Sequence, residues 1–142
     1  MTFTNKMVVD WKGNYRFDAK NEKGLTVSFD APAFFGGEET ALAPMENILA
    51  SLVACASIHL MSILEEQEQK VSSYKVQVTG ERQEEPPRTF TKIHIHYNIK
   101  GTGLNRSIIQ KAIETAEGNQ WSVGTMLKKA VPITSSFEIS EA

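Results

Sequence analysis

PMENILASLVACASIHLMSILEEQ, residues 44–67, is the stretch in which apolar side chains recur at helical spacing, after segments that alternate. Pro44 suits a first helical turn, where a missing N–H breaks no bond, and Glu46 is favourable near the positive end of a helix. Ile48, Leu49, Leu52, Val53, Ala56, Leu60, Met61, Ile63 and Leu64 cover more than a single stripe. That spread predicts a central helix buried on several sides. A polar strip interrupts it. Asn47, Ser51, Cys55 and His59 follow one another at steps of four, with Ser62 beside them, so at about 100° per residue they occupy roughly a third of the circumference. The chain's single thiol lies on this strip.

Upstream, Met7, Val9 and Trp11 alternate, then Tyr15 and Phe17, then Leu25, Val27 and Phe29, with turn residues at Gly13 and at Asn21 to Gly24. The pattern predicts a three-stranded meander. Ala31 to Ala43 has no consistent period and reads as a loop, with Phe34 and Phe35 expected to be pinned to apolar surface. Downstream, strands are predicted over Tyr74–Arg82 and Thr91–Lys100, split by Pro86-Pro87. Ile93, Ile95, Tyr97 and Ile99 face one way and Lys92, His94, His96 and Asn98 the other, as in a sheet with one buried face. Asn105 can cap a second helix with an apolar stripe of Ile108, Ile109, Ala112, Ile113 and Ala116, which Gly118-Asn119 stops. A short helix from Ser122 to about Lys129 and a closing strand over Ile133–Ser140 complete an α+β arrangement with a largely antiparallel sheet.

A length of 142 residues argues for one domain spanning 1–142. Fifteen basic and 17 acidic side chains give a net charge of −2 with no basic block, so nucleic acid is not an expected partner. MTFTNKMVVDWKGN at the start lacks the apolar run of a signal peptide, and no stretch is read as the roughly 18 apolar residues of a membrane span. A cytoplasmic protein with no membrane partner is expected. One cysteine excludes an intrachain disulfide and an all-cysteine metal cage. His94 and His96 project from one sheet face and can bind a metal only with a third ligand, which is not locally spaced. A partly solvated face is the commoner reading, and neither metal nor cofactor is expected. Glu65-Glu66-Gln67-Glu68 and Glu84-Glu85 read as wet surface, and Gly36-Gly37 matches no phosphate loop.

Cys55 is therefore the centre of any chemistry. His59, one turn on, can raise its thiolate fraction if protonated or hydrogen-bonded to sulfur; the plainer alternative is a small buried apolar residue. The pattern Gly36-Gly37, Pro44-Met45-Glu46, Leu49-Ala50, Leu52, Ala54-Cys55 resembles the OsmC/Ohr family, the osmotically inducible and organic hydroperoxide resistance proteins. Phe90-Thr91-Lys92-Ile93, Ser122-Val123 and the closing strand fit it as well. The resemblance implies an OsmC-like fold of mainly antiparallel sheets packed on a long buried central helix. It also implies an intertwined homodimer with two sites at the subunit interface, where Cys55 takes the peroxidatic position.

This chain departs from the family pattern at three points. Trp121 stands where a second, resolving cysteine is expected, and can close the pocket or offer an aromatic wall. Met45 stands where a glutamate directly follows the proline; Glu46 is one step on and, on a regular helix, about 180° from Cys55. Arg16 is the only arginine before Arg82 but sits inside a predicted strand without the family's surrounding motif, so the family's arginine role is not carried over to it. The resemblance thus implies a one-cysteine hydroperoxide reductase acting in oxidative stress defence, with candidate catalytic residues Cys55, His59 and Glu46 and an external thiol reductant. The alternative is a non-catalytic dimer binding a small apolar ligand at the subunit interface, walled by Trp121 and the loop phenylalanines.

Overall fold

The computed structural model describes residues 3–142. Its contacts gather into two compact units that divide between Ile48 and Leu49.

In the first unit, β1 (Val8–Trp11), β2 (Phe17–Lys20) and β3 (Thr26–Phe29) form an antiparallel meander in the order β1-β2-β3. Its register pairs Trp11 with Phe17 and Phe17 with Phe29. A 3-10 turn at Ala33–Phe35 follows, ending on Gly36 at φ 105°. A Cβ on Gly37 would stand 1.9 Å from the Ala31 carbonyl oxygen, so only glycine fits there. Asp30 ties this loop down. It accepts the Thr40 hydroxyl at 2.7 Å, the Thr40 N–H at 3.0 Å and the Ala31 N–H at 2.8 Å. These bonds, the Thr40 hydroxyl foremost, hold the Asp30 carboxyl below its ordinary range. Phe34 and Phe35 are not pinned to apolar surface, contrary to expectation: they are 83% and 65% exposed. Phe35 meets the edge of the Tyr15 ring, with ring centroids 5.7 Å apart.

The second unit carries the core. α1 (Pro44–Glu66) is a helix of 23 residues that runs into this unit from the first. It is followed by β4 (Lys70–Arg82), β5 (Phe90–Thr102), α2 (Arg106–Ala116), α3 (Ser122–Leu127) and β6 (Ile133–Glu141). The sheet order is β4-β5-β6. β4 and β5 pair antiparallel, as expected, but β6 pairs parallel to β5. A parallel neighbour needs a long crossover, and α2 and α3 supply it. The Asn105 cap forms as read, its side chain accepting from Ile108 N–H.

Ile93, Ile95, Tyr97 and Ile99 of β5 are all at most 1% exposed, and Ile109, Ala112, Ile113 and Ala116 of α2 are buried with them. Within one chain, α1 contributes one stripe to this core, Leu52, Ala56, Leu60 and Leu64. The expected burial on several sides is not met in a single chain, where Ile58 is 71% exposed. By length and composition α1 is also apolar enough to cross a membrane, which corrects the reading that no stretch qualifies. Packing of its apolar stripe on the sheet makes it the unit's core helix.

Candidate functional site

Cys55 sits on α1 at the margin of the core, packed against it on one side and half-exposed on the other. The reason is rotational: it lies three residues after buried Leu52 and one before buried Ala56, at the edge of that stripe. Neither its sulfur nor a His59 ring nitrogen makes a hydrogen bond among the described residues. His59 instead borders a cleft of about 460 Å³ with Ser62, Glu66, Thr115, Asn119 and Gln120. The far wall of this cleft is the loop leading into Trp121.

Trp121 is completely buried. Its indole N–H donates to the backbone carbonyl of Leu52 at 2.9 Å, one turn before Cys55. Gly124 of α3 and Lys128, just past its end, fit around the ring. Gly124 is obligatory, because a Cβ there would stand 2.0 Å from an indole carbon. The Lys128 ammonium lies 5.0 Å from the ring centroid and also donates to the Glu117 carbonyl at 2.8 Å. A fully buried ring offers no wall to a ligand, so the aromatic-wall role read for Trp121 is not met in a single chain.

Beside it lies a polar chain that the sequence reading missed. Tyr97, buried on the inner sheet face, donates its hydroxyl to Glu117 Oε2 at 2.6 Å, and Ser135 donates to Oε1 at 2.9 Å. Burial first, and then the carboxylate, pushes the Tyr97 phenol far above its ordinary range. Tyr74, whose hydroxyl is 2.6 Å from Ser57 Oγ, is raised by burial too. Strand alternation marked Tyr97 as inward-facing, but Glu117 follows the last turn of α2 in sequence and nothing local reveals its partner.

The other sequence candidates are engaged elsewhere. Glu46 Oε1 accepts the Ala43 N–H at 2.9 Å, the reach-back half of a helix capping box. Arg16 binds the Thr40 hydroxyl at 2.8 Å and lies 3.7 Å from Asp18, both in the first unit. His94 and His96 are met by hydroxyls and Glu138, and no group of three or more metal-binding side chains occurs among the described residues.

Comparison with known proteins places this architecture. The description OsmC-like protein matches residues 36–136. Protein YhfA of Escherichia coli (strain K12) is 33% identical over 134 residues, covering 94% of this chain and 97% of that protein. A hypothetical protein from Aquifex aeolicus VF5 superposes with a TM-score of 0.86 at 22% identity over 99% of both chains. An organic hydroperoxide resistance protein OsmC from Legionella pneumophila superposes with a TM-score of 0.69 at 17% identity, over 97% of this chain and 98% of that one. The likeness to the two solved structures is one of fold.

Proposed function

Because this chain belongs to the OsmC-like family, we propose that it reduces organic hydroperoxides through Cys55 alone, with electrons from an external thiol, in defence against oxidative stress. The observation that supports this reading is the partly buried position of Cys55 on α1, at the margin of the core and not sealed inside it. The Cys55 thiolate attacks the distal oxygen of the O–O bond. That bond breaks, the leaving alkoxide takes a proton to become an alcohol, and the sulfur is left as a sulfenic acid. An incoming thiol displaces water to form a mixed disulfide, and a second thiol releases Cys55 as the thiol and leaves as a disulfide.

His59 is assigned the role of a polar neighbour beside the approach to Cys55. Glu46 is assigned to the helix cap and not to the reacting atoms. No cofactor enters the cycle. The same reading takes residues 1–142 as one functional domain working as a homodimer in the cytoplasm. The exposed apolar side chains Trp11, Leu25, Phe34 and Phe35, each at least 65% accessible, support a covering partner subunit.

The test is stoichiometric. One equivalent of cumene hydroperoxide is expected to remove one titratable thiol per chain, a dimedone adduct should map to Cys55, and a dithiol should sustain turnover. Oxidation no faster than that of a free cysteine of ordinary pKa, about 8.5, refutes the reading.

A further inference from the structure

The outer face of the β4-β5-β6 sheet gathers cations that the linear sequence keeps apart. Asn98 and Lys100 flank the buried Ile99, so both stand on the face opposite the core. The register sets Lys75 beside Asn98 and Ser73 beside Lys100 on one flank, with Glu138 and Ser140 on the other. Arg106, the first residue of α2, joins them at a cleft of about 470 Å³. Three strands and a helix thus bring Lys75, Lys100 and Arg106 together around one carboxylate, in a chain whose net charge is −2.

None of these three cations is in an ion pair among the described residues, whereas Lys92 meets Glu81 at 3.1 Å. Glu138, the carboxylate of the cleft, faces His96 Nε2 at 3.6 Å. The arginines show the same contrast. Arg16 donates to the Thr40 hydroxyl, Arg82 to the Arg88 carbonyl and Arg88 to the Glu84 carbonyl. Arg106 instead lies over Phe137, its guanidinium carbon 4.6 Å from the ring centroid. Stacking fixes the plane of the fork and leaves its N–H edge to meet an acceptor. The hydroxyls of Ser73 and Ser140, at the two ends of the row through Lys100, add neutral donors.

We propose that this cleft binds a small anion through a diphosphate group, with Lys75 and Lys100 as point charges and Arg106 as a bidentate fork. Like charges gathered without a counter-ion repel one another, and a polyanion removes that repulsion. One phosphate brings up to about two negative charges, so a diphosphate matches three cations better than a single phosphate does. Beyond the cleft the face turns to imidazoles, hydroxyls and the compensated Lys92–Glu81 pair. The positive patch therefore has the reach of one small molecule and not of a nucleic-acid backbone. The site is independent of the peroxide chemistry, because α1 packs on the inner face of the sheet.

Amide NMR of the full-length chain in about 0.15 M salt tests this, with sodium pyrophosphate, ADP and citrate as probes. Pyrophosphate is expected to saturate at one per chain, shifting the amide signals of Ser73, Asn98, Lys100 and Ser140 and leaving those around Cys55 in place. Binding of ADP as well assigns the diphosphate of a nucleotide; binding of pyrophosphate alone assigns the free diphosphate. Lys75→Ala, Lys100→Ala and Arg106→Ala should each weaken the complex about threefold or more, and Lys92→Ala should leave it unchanged. Arg106→Lys keeps the charge without the fork and should recover part of the loss. Circular dichroism checks that each variant is folded. Absence of saturable pyrophosphate binding, citrate held as tightly as pyrophosphate, or binding that survives the Lys75→Ala/Lys100→Ala/Arg106→Ala triple substitution overturns the proposal.

Discussion

The indole N–H of Trp121 and the backbone carbonyl of Leu52 are joined at 2.9 Å, which fixes the loop before α3 to the turn of α1 preceding Cys55. The bond crosses 69 positions of sequence and lies in a fully buried setting. Trp121→Phe keeps most of the ring and is expected to lower stability by about 1–3 kcal/mol through the unpaired donor–acceptor site and the lost volume. Trp121→Ala should remove about 3–5 kcal/mol. Gly124→Ala, which drives a methyl into the same ring, should remove about 1–3 kcal/mol. Urea unfolding followed by circular dichroism ranks the three.

Tyr97 titrates far above its ordinary range in the folded chain, raised by burial and by Glu117. The folded state therefore keeps a proton that an unfolded tyrosine releases near pH 10. Stability from this group is full below that pH and declines as pH rises beyond it. Denaturation midpoints measured from pH 8 to 11 should fall at the alkaline end, and Tyr97→Phe should flatten that fall. At pH 7 the same substitution is expected to remove about 1–3 kcal/mol, because Glu117 loses a donor.

Asp30 behaves with the opposite sign. Its carboxyl is held below the ordinary range, chiefly by the Thr40 hydroxyl. The stability it contributes is present above the unfolded value of about 3.9 and is lost as pH falls through the lower folded value. Melting temperatures between pH 5 and 2.5 should drop less steeply for Asp30→Asn or Thr40→Val than for the parent chain. A steeper drop in either variant would contradict the assignment.

Glu46 tests the division between helix cap and reacting centre. Glu46→Ala removes the acceptor of Ala43 N–H and should lower stability by about 1 kcal/mol. Glu46→Gln retains an acceptor and should restore most of it. In neither variant should the rate of Cys55 oxidation by cumene hydroperoxide change by as much as tenfold, whereas Cys55→Ser should abolish it.

Local periodicity made most of the architecture legible. Alternation from Ile93 to Ile99 marked the buried sheet face, Asn105 marked the start of α2, and turn residues separated the meander strands. What it left out was non-local. The parallel pairing of β6 with β5 depends on a crossover whose direction no short window encodes. Phe34 and Phe35 read as pinned because their apolarity is visible while the surface that would cover them is not. At the site, Cys55 was visible as the one thiol on a polar strip. Its loop neighbour Trp121 was visible as a departure, but its bond to Leu52 was not, since that carbonyl is a backbone atom available at any position. Glu46 looked like a site carboxylate and serves as a cap because a side chain three residues into a helix reaches back most easily to the N–H before it.

The fit between Trp121 and Gly124 also constrains how such a chain can change over generations. A cysteine substituted at position 121 would leave an indole-sized void, a loss of a few kcal/mol out of the 5–15 kcal/mol that typically separates folded from unfolded chains. A larger residue at 124 would be tolerated only after the indole had gone. The two positions act as a ratchet: a small side chain at 121 is reached only through a repacked interior, so the shape around the indole holds the tryptophan in place.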